Sequence, residues 1–524
     1  MEYLQASPQG ILCGGRPFLP RGMGLGGWLL PEGYMWKLYT KCDRPRRIEA
    51  MLETLCGPAY AQTFWPRYYA GYITQRDIRA VAAQGCNSVR LPLNARHLYA
   101  LDAQGRVQLD EAGIAWVDQC VAWCRAAGIY VLLDMHAAPG GQTGQNIDDS
   151  AHDRPELFED GHWRRELLAL WVLLAQRYAA EPCVMGYDLL NEPLCSQFAQ
   201  YNAQLLPLYR ALIAAIRAVD PRRMIVLEGT HWSTDFRVFD GLSRAEAQQN
   251  LVLQFHKYWN EPDRDSLRPY CETAQRLGVP LYAGESGENN LAWYTSAFPL
   301  YEREGIGWCF WSYKKMEAEN SPVSFAAPDG WDKILAWLDG GAQPARGEAQ
   351  RIFDGLLHSI CQPVPHTEVY RALLRRAPLT LPCEAYDAAH ITAARQPGAQ
   401  LRLSEPAEIQ FCSGRQGAVD FRQDAGQPRP ESEQLAVLLH AGESLSYRVT
   451  LPTQRVRCTL TAAGPGALTV SLDGTSADCR WAGAGFAPQD FSLDGAGREG
   501  LLTLACTAGC LRLSVLCLGG TAEP

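Results

Sequence analysis

From residue 22 to about residue 313, short runs of Val, Ile, Leu and aromatic residues alternate with longer stretches whose apolar positions recur every three or four residues. The short runs are too uniformly apolar to leave one face wet, so they read as strands buried on both sides. The periodic stretches read as the helices that cover them. Strand candidates fall at residues 22–29, 87–93, 130–136, 184–192, 224–228, 251–256, 280–285 and 307–312, with helix-like segments such as 112–127, 163–179 and 205–219 between them. Eight such repeats fit a closed (β/α)8 TIM barrel better than an open sheet. A glycine-bearing hairpin at 10–19 is placed to plug the barrel floor, and helix-like segments at 347–360 and 367–376 finish the barrel. Beyond residue 379 the pattern becomes short alternating runs (434–440, 445–451, 467–472, 510–518) separated by Gly, Asp and Pro turns, the pattern of an antiparallel β-sandwich. The expected organisation is a barrel domain over 1–376 and a C-terminal β-sandwich accessory domain over 377–524.

Composition narrows the class. At 524 residues, 47% hydrophobic and 20% charged, the chain is an ordinary globular one with room for a barrel and a second module. Its net charge of −9 and the absence of a long Lys/Arg run argue against nucleic acid as a partner. Met1 to Gly10 is too polar for a signal peptide and no window is apolar enough to span a bilayer, so a cytoplasmic location is expected. The 18 cysteines sit in apolar segments, as at Cys86, Cys183, Cys309 and Cys506, and read as small buried hydrophobes in a reducing compartment. Neither Cys120 with Cys124 nor Cys506 with Cys510 has the companion ligands of a zinc site, so no structural metal is expected, and no cofactor is called for.

Barrel enzymes keep their chemistry at the carboxyl ends of the strands. Here those ends are consistently polar or aromatic: Asn87-Ser88-Val89-Arg90-Leu91-Pro92, Asp134-Met135-His136, Leu190-Asn191-Glu192-Pro193, Phe255-His256-Lys257-Tyr258, Ala283-Gly284-Glu285-Ser286 and Phe310-Trp311-Ser312. Two glutamates on separate strands facing one pore can supply the gap of about 5 Å at which one carboxyl protonates a glycosidic oxygen while the other attacks the anomeric carbon with net retention. Arg90 and the Tyr258 hydroxyl would favour the charged form of Glu285, and Glu192 would stay protonated in less cationic surroundings. That makes Glu285 the nucleophile and Glu192 the acid, later the base. Asn191 is placed to bond the sugar hydroxyl beside the reacting carbon, and His136 and His256 to orient hydroxyls or carboxylates.

These blocks, over residues 22–313, resemble glycoside hydrolase family 5, within the clan of retaining β-glycosidases whose acid and nucleophile end the fourth and seventh strands. The resemblance implies that Arg90, His136, Asn191, Glu192, His256, Tyr258, Glu285 and Trp311 fill the family's active-site set. Leu25-Gly26-Gly27-Trp28-Leu29 is similar to the exo-β-glucanase branch.

Fourteen of the 15 tryptophans precede residue 340, and sugar rings stack their apolar faces on aromatic planes. Trp116, Trp123 and Trp171, at helical spacing, are expected in the core. Trp28, Trp36, Trp232, Trp259 and Trp311, near strand ends, are the subsite candidates, with Tyr34 and Glu32 narrowing one end of the cleft. His97 and His390 read as structural, while His231 fits either a substrate contact or a loop cap. The sandwich carries only Trp481, which favours a scaffold over a sugar platform. A metal-dependent hydrolase would need ligands such as HxH near the first strand, which has no His. A non-catalytic sugar-binding protein would have lost a carboxylate or Asn191. A β-linked oligosaccharide or glycoside is thus the expected substrate, and an enzyme kept inside a cell favours short β-glucosides with exo-like action. Endo-acting β-glucanase or mannanase activity and glycolipid or aglycone β-glucosidase activity are the alternatives. Nothing in the pattern fixes an oligomeric state.

Overall fold

The computed structural model describes residues 1–39, 41–392, 398–423 and 426–519; the parts of the expected accessory domain at 393–397, 424–425 and 520–524 lie outside the described residues. The chain forms two compact units, neither continuous in sequence. The first holds residues 1–257, 269–287 and 305–365, the second 258–268, 288–304 and 366–524.

In the first unit eight strands close into a parallel barrel in chain order: β1 (Arg21–Gly24), β2 (Ser88–Asn94), β3 (Tyr130–Ala137), β4 (Val184–Asp188), β5 (Met224–Glu228), β6 (Leu251–Lys257), β7 (Leu281–Gly287) and β8 (Gly307–Trp311). Every residue of β2, β3, β6 and β7 is buried, as strands with side chains packed on both faces must be. The connecting helices Glu111–Ala127 and Gly161–Tyr178 begin where Asp110 and Asp160 accept hydrogen bonds from backbone N–H groups two residues on. Gly128, left-handed at φ 73°, ends the first of them.

Two strands stop short of their apolar runs. β1 ends at Gly24 rather than residue 29, because Gly27 takes φ 81° and turns the chain. β4 ends at Asp188 rather than 192, because Glu192 and Leu194 are left-handed at φ 42° and 59°. The plug begins earlier than expected: Leu4–Ser7 pairs antiparallel with Gly10–Cys13. Leu4 and Ile11 of that hairpin pack against Tyr130, Met185, Met224 and Val252 at the strand starts, closing the barrel floor with apolar side chains.

The second unit contains helices Leu291–Arg303 and Thr367–Leu373 and a set of antiparallel strands curled in the manner of a sandwich or half-barrel. One 20-residue strand, Glu499–Leu518, belongs to both of its layers. Its first half pairs with Ser444–Thr450 and Gly466–Leu472, its second half with Leu435–His440, Arg455–Ala463 and Leu379–Pro382. Trp481 is buried here, its indole N–H donating to the Ala487 carbonyl at 2.8 Å.

The chain's 18 cysteines are free thiols, most of them buried. Of the helical tryptophans expected in the core, Trp171 is fully buried, whereas Trp116 and Trp123 are half-buried. Among the described residues no helix is long and apolar enough to cross a membrane.

Candidate active site

Inward-facing positions alternate along a strand, so a barrel interior can change character within one strand length. On β3, Tyr130 and Leu132 belong to the apolar floor, and Asp134 and His136 follow at the same period of two. On β5 the floor residues Met224 and Val226 are followed by Glu228, and on β6 Val252 is followed by Gln254 and His256. The result is a polar layer at the carboxyl ends.

β7 breaks this parity. Tyr282 is a floor residue, so plain alternation would turn Glu285 outward. The pairing skips Gly284: Phe255 faces Ala283 and His256 faces Glu285, and the register with β8 shifts at the same place. This bulge re-aims Glu285 into the pore. Gly284 is required there, since a Cβ would overlap the Gln254 side chain.

In this polar layer sit Arg90, Asp134, His136, Asp188, Asn191, Glu192, Glu228, Gln254, His256 and Glu285, all buried. Arg90 is the hub. Its guanidinium bonds Asp188 through Nε and Nη2 at 3.0 and 2.9 Å, Asn191 Oδ1 at 2.8 Å, Glu228 at 3.0 Å, Asp134 at 3.1 Å and, most closely, Glu285 Oε1. His136 Nδ1 lies 2.7 Å from Asp134 and its Nε2 lies 3.4 Å from Asn191 Nδ2. His256 bridges the two glutamates, with Nδ1 2.5 Å from Glu192 Oε1 and 3.5 Å from Glu285 Oε2. One donor atom each of Glu192, His256 and Glu285 lies within 4.8 Å of the others. Carboxylates this close match the retaining geometry, for an inverting pair stands roughly 6.5 to 9.5 Å apart to admit a water.

Electrostatics separate the roles. Burial pushes the Glu192 carboxyl above the usual carboxylate range, against the pull of His256. Burial would also discharge the His256 ring, yet Glu228, Glu285 and Glu192 outweigh it and hold its pKa well above the usual imidazole range. His136, desolvated but paired with Asp134, rises to about 9. The desolvation of Glu228 is more than offset by His256, Arg90 and the Glu192 backbone N–H, and its pKa falls to about 2. Asp188, buried beside Glu228, is driven well up. Burial thus raises the Glu192 carboxyl beside the His256 ring, while Glu285 Oε1 is bound directly by the guanidinium.

Trp311 closes one side of the site. Its ring is stacked with His136 at 5.3 Å and 6°, and its N–H donates to the Tyr34 hydroxyl at 2.9 Å. The ring can lie against the end of β1 only because Gly24 and Gly26 are there; a Cβ on them would come within 2.5 and 2.8 Å of it. Trp28 and Trp36 correct the expectation made for them. Both are 0% exposed, Trp28 stacked on Trp123 and Trp36 wedged among Phe64, Tyr68 and Trp331, so neither offers a face to a ligand. Trp232, 41% exposed, follows β5 in a run of left-handed residues, His231, Trp232 and Ser233 at φ 54°, 54° and 58°. Tyr258 and Trp259 belong to the second unit. There the Tyr258 carbonyl accepts from Asn289 at 3.1 Å, and Trp259 is 41% exposed beneath Arg422.

Asp188, Glu228 and Gln254 were not singled out by the sequence, although Glu228 ends its apolar run and Gln254 lies two residues before His256. Glu228 is the most consequential of them. Its second oxygen accepts the backbone N–H of Glu192 at 2.8 Å, which pins that residue in its left-handed conformation.

The model of the cellulase family (glycosyl hydrolase family 5) matches residues 54–317. The chain is similar to a β-xylosidase of Phanerodontia chrysosporium, 28% identical over 60% of this chain and 71% of that one. It is also similar to endoglucanase C of Acetivibrio thermocellus, 25% identical over 49% of this chain and 89% of that one. A solved endogalactoceramidase covers 98% of this chain and is itself covered completely, with 17% identity and a TM-score of 0.49. The match spans half the chain and takes in β2 to β8, from Arg90 to Trp311; the chain therefore belongs to glycosyl hydrolase family 5 and is a retaining glycoside hydrolase.

Proposed function

We propose that this enzyme cleaves short β-linked, chiefly β-glucosidic, oligosaccharides or glycosides from one end, with Glu285 as nucleophile and Glu192 as acid and then base. The observation that carries the assignment of roles is the pair of buried carboxylates within 4.8 Å, one bound by Arg90 and the other pushed by burial above the usual carboxylate range. In the first step Glu192 gives its proton to the leaving oxygen as Glu285 attacks the anomeric carbon. In the second, Glu192 takes a proton from water, which displaces Glu285. Arg90 keeps Glu285 ionised, Asn191 meets the hydroxyl next to the reacting carbon, and Trp311 with His136 forms the aromatic side against which the sugar ring packs.

End-on action is supported by the similarity to a β-xylosidase, and a reducing compartment by the many free thiols. Endo action on a longer chain is the second reading, favoured by the similarity to an endoglucanase over most of that protein's length. A panel of nitrophenyl β-glycosides, followed by digestion of oligosaccharides and of a long β-glucan, tests both. Release of reducing ends from the polymer with no action on aryl glycosides or disaccharides sinks the exo reading. Glu285→Gln must abolish turnover while leaving sugar binding intact.

A further inference from the structure

We infer that the barrel unit carries a second carbohydrate-binding pocket, separate from the reacting cluster and built by the segments that follow β2 and β3, which takes a neutral β-linked oligosaccharide. The pocket is a cavity of about 610 Å³, within the roughly 300 to 1,000 Å³ of small-ligand sites. None of its lining residues belongs to the Arg90 cluster.

Its lining is mixed in kind: Trp163, Tyr99, Leu101 and Pro139 are apolar or aromatic, and Glu156, Glu166, His152 and His162 are among the polar members. The indole of Trp163 is locked in place: His162 packs on it at 4.1 Å, and Gly140, at φ 77°, has no side chain where a Cβ would sit 2.6 Å from the ring. The Tyr99 hydroxyl donates to Glu166, fixing that ring too. Leu101, 49% exposed, stands at the lip. The lining also includes a hydrogen-bonded polar network. Asp149, 6% exposed, accepts from the Arg96 guanidinium at 2.7 Å, from Asn94 Nδ2 at 3.0 Å and from the Arg46 backbone N–H at 2.8 Å, and Arg96 also bonds Glu49 at 2.9 Å.

This composition selects the ligand. Arg96 and Arg46 are already paired with carboxylates, so the pocket has no surplus positive charge for a phosphate or sulfate. What it offers is aromatic side chains together with fixed donors and acceptors, the two kinds of group that a pyranose ring meets with its C–H face and its hydroxyl edge. Because β2 and β3 also deliver Arg90 and His136, the pocket lies at the same end of the barrel as the chemistry. An oligosaccharide held there raises the local concentration of substrate without taking part in the reaction.

The choice of a β-linked sugar rests on the glycosidase reading above. The test titrates the Glu285→Gln enzyme with cellotetraose and laminaritetraose by calorimetry. Two sites are expected. Trp163→Ala and Leu101→Glu, each added to Glu285→Gln, should weaken one site by at least about tenfold, the loss of a stacking face, and leave the other unchanged. In the Glu285 background the same substitutions should leave nitrophenyl glycoside turnover untouched. One site in the parent, or two unaltered sites in any folded variant, overturns the proposal. Because Leu101 is exposed, that variant keeps the test decisive if the tryptophan change unfolds the chain. Full turnover by Glu285→Gln would instead sink the catalytic assignment, and the sites would then be counted with thio-linked tetrasaccharides that the enzyme cannot cleave.

Discussion

Replacing Glu192 by Ala probes the double-displacement scheme most directly. The side chain is buried, bridged to His256 at 2.5 Å and within 4.8 Å of Glu285, so its removal opens a carboxyl-sized hole on the leaving-group side while the nucleophile keeps its Arg90 contact. General acid catalysis contributes roughly 10²- to 10⁴-fold, or about 3 to 5 kcal/mol of barrier. That loss should fall on sugars and alkyl glycosides, whose departing oxygen needs a proton. A dinitrophenyl glycoside needs none, so its first step should survive and the glycosyl-enzyme should accumulate, because no base is left to activate water. Azide, small enough for the hole and nucleophilic without a base, should restore turnover. It attacks from the face Glu192 occupied, opposite Glu285, and the product must be the β-glycosyl azide. Release of dinitrophenolate is followed by absorbance and the azide anomer by proton NMR. An α-azide, or an equal loss for all leaving groups with no response to azide, would refute the assignment.

Arg90→Met leaves Asp134, Asp188, Glu228 and Glu285 without their shared cation, and urea denaturation should show a loss of about 3 to 5 kcal/mol; a loss below about 1 kcal/mol would mean that the hub is not structural. Gly284→Ala forces a Cβ into Gln254 and should cut turnover at least about a hundredfold, more than the roughly 1 to 3 kcal/mol overpacking cost seen in unfolding would explain; wild-type turnover would contradict the bulge argument. In His256→Gln the cation that lowers the Glu192 pKa is gone, so Glu192 keeps its proton to higher pH and the alkaline limb of kcat/KM must move upward; a downward move would refute the coupling. His136 is raised from 6.5 to about 9 by Asp134, so their pairing stabilises the fold fully below pH 6.5 and the contribution fades as pH rises through about 9; stability against pH, compared with His136→Gln, should lose its slope in that window.

The barrel was legible because its strands are apolar on both faces, a pattern that survives without knowledge of partners. The run at 224–228 coincides with β5, and the helix at 112–127 begins one residue late. The polar ends of β2, β3, β4, β6, β7 and β8 were likewise visible, since each closes an apolar run. The misses have local physical reasons. Leu189 and Leu190 extend the fourth run past the strand because both are buried and the Leu189 N–H still donates to the Val226 carbonyl of β5, so nothing in the pattern marks the approach to Glu192, where the chain turns left-handed. Trp28 and Trp36 lie near a strand end, but the rings that enclose Trp36 come from residues 64, 68 and 331, a distance in sequence that periodicity does not bridge. Glu228 matters through what it binds, the backbone of residue 192 and the side chain of residue 90, and no spacing in the chain announces such a partner. Nothing in the sequence sets Gly284 apart, and only the strand registers show that it decides which way Glu285 points.

No single cut in this chain separates its two units, because segments of the second unit interrupt the first. The helix Leu291–Arg303 lies in sequence between β7, which carries Glu285, and β8, which carries Trp311, yet its neighbourhood is held by later residues. Asn289 donates to the Phe421 carbonyl at 2.7 Å and Arg303 to that of Asp387 at 2.8 Å. Excising residues 377–524 as a cassette would strip those acceptors from a link between two catalytic strands. In this molecule the link between two catalytic strands folds with the C-terminal residues, and shortening the protein to its family-matching segment strips that link of its partners.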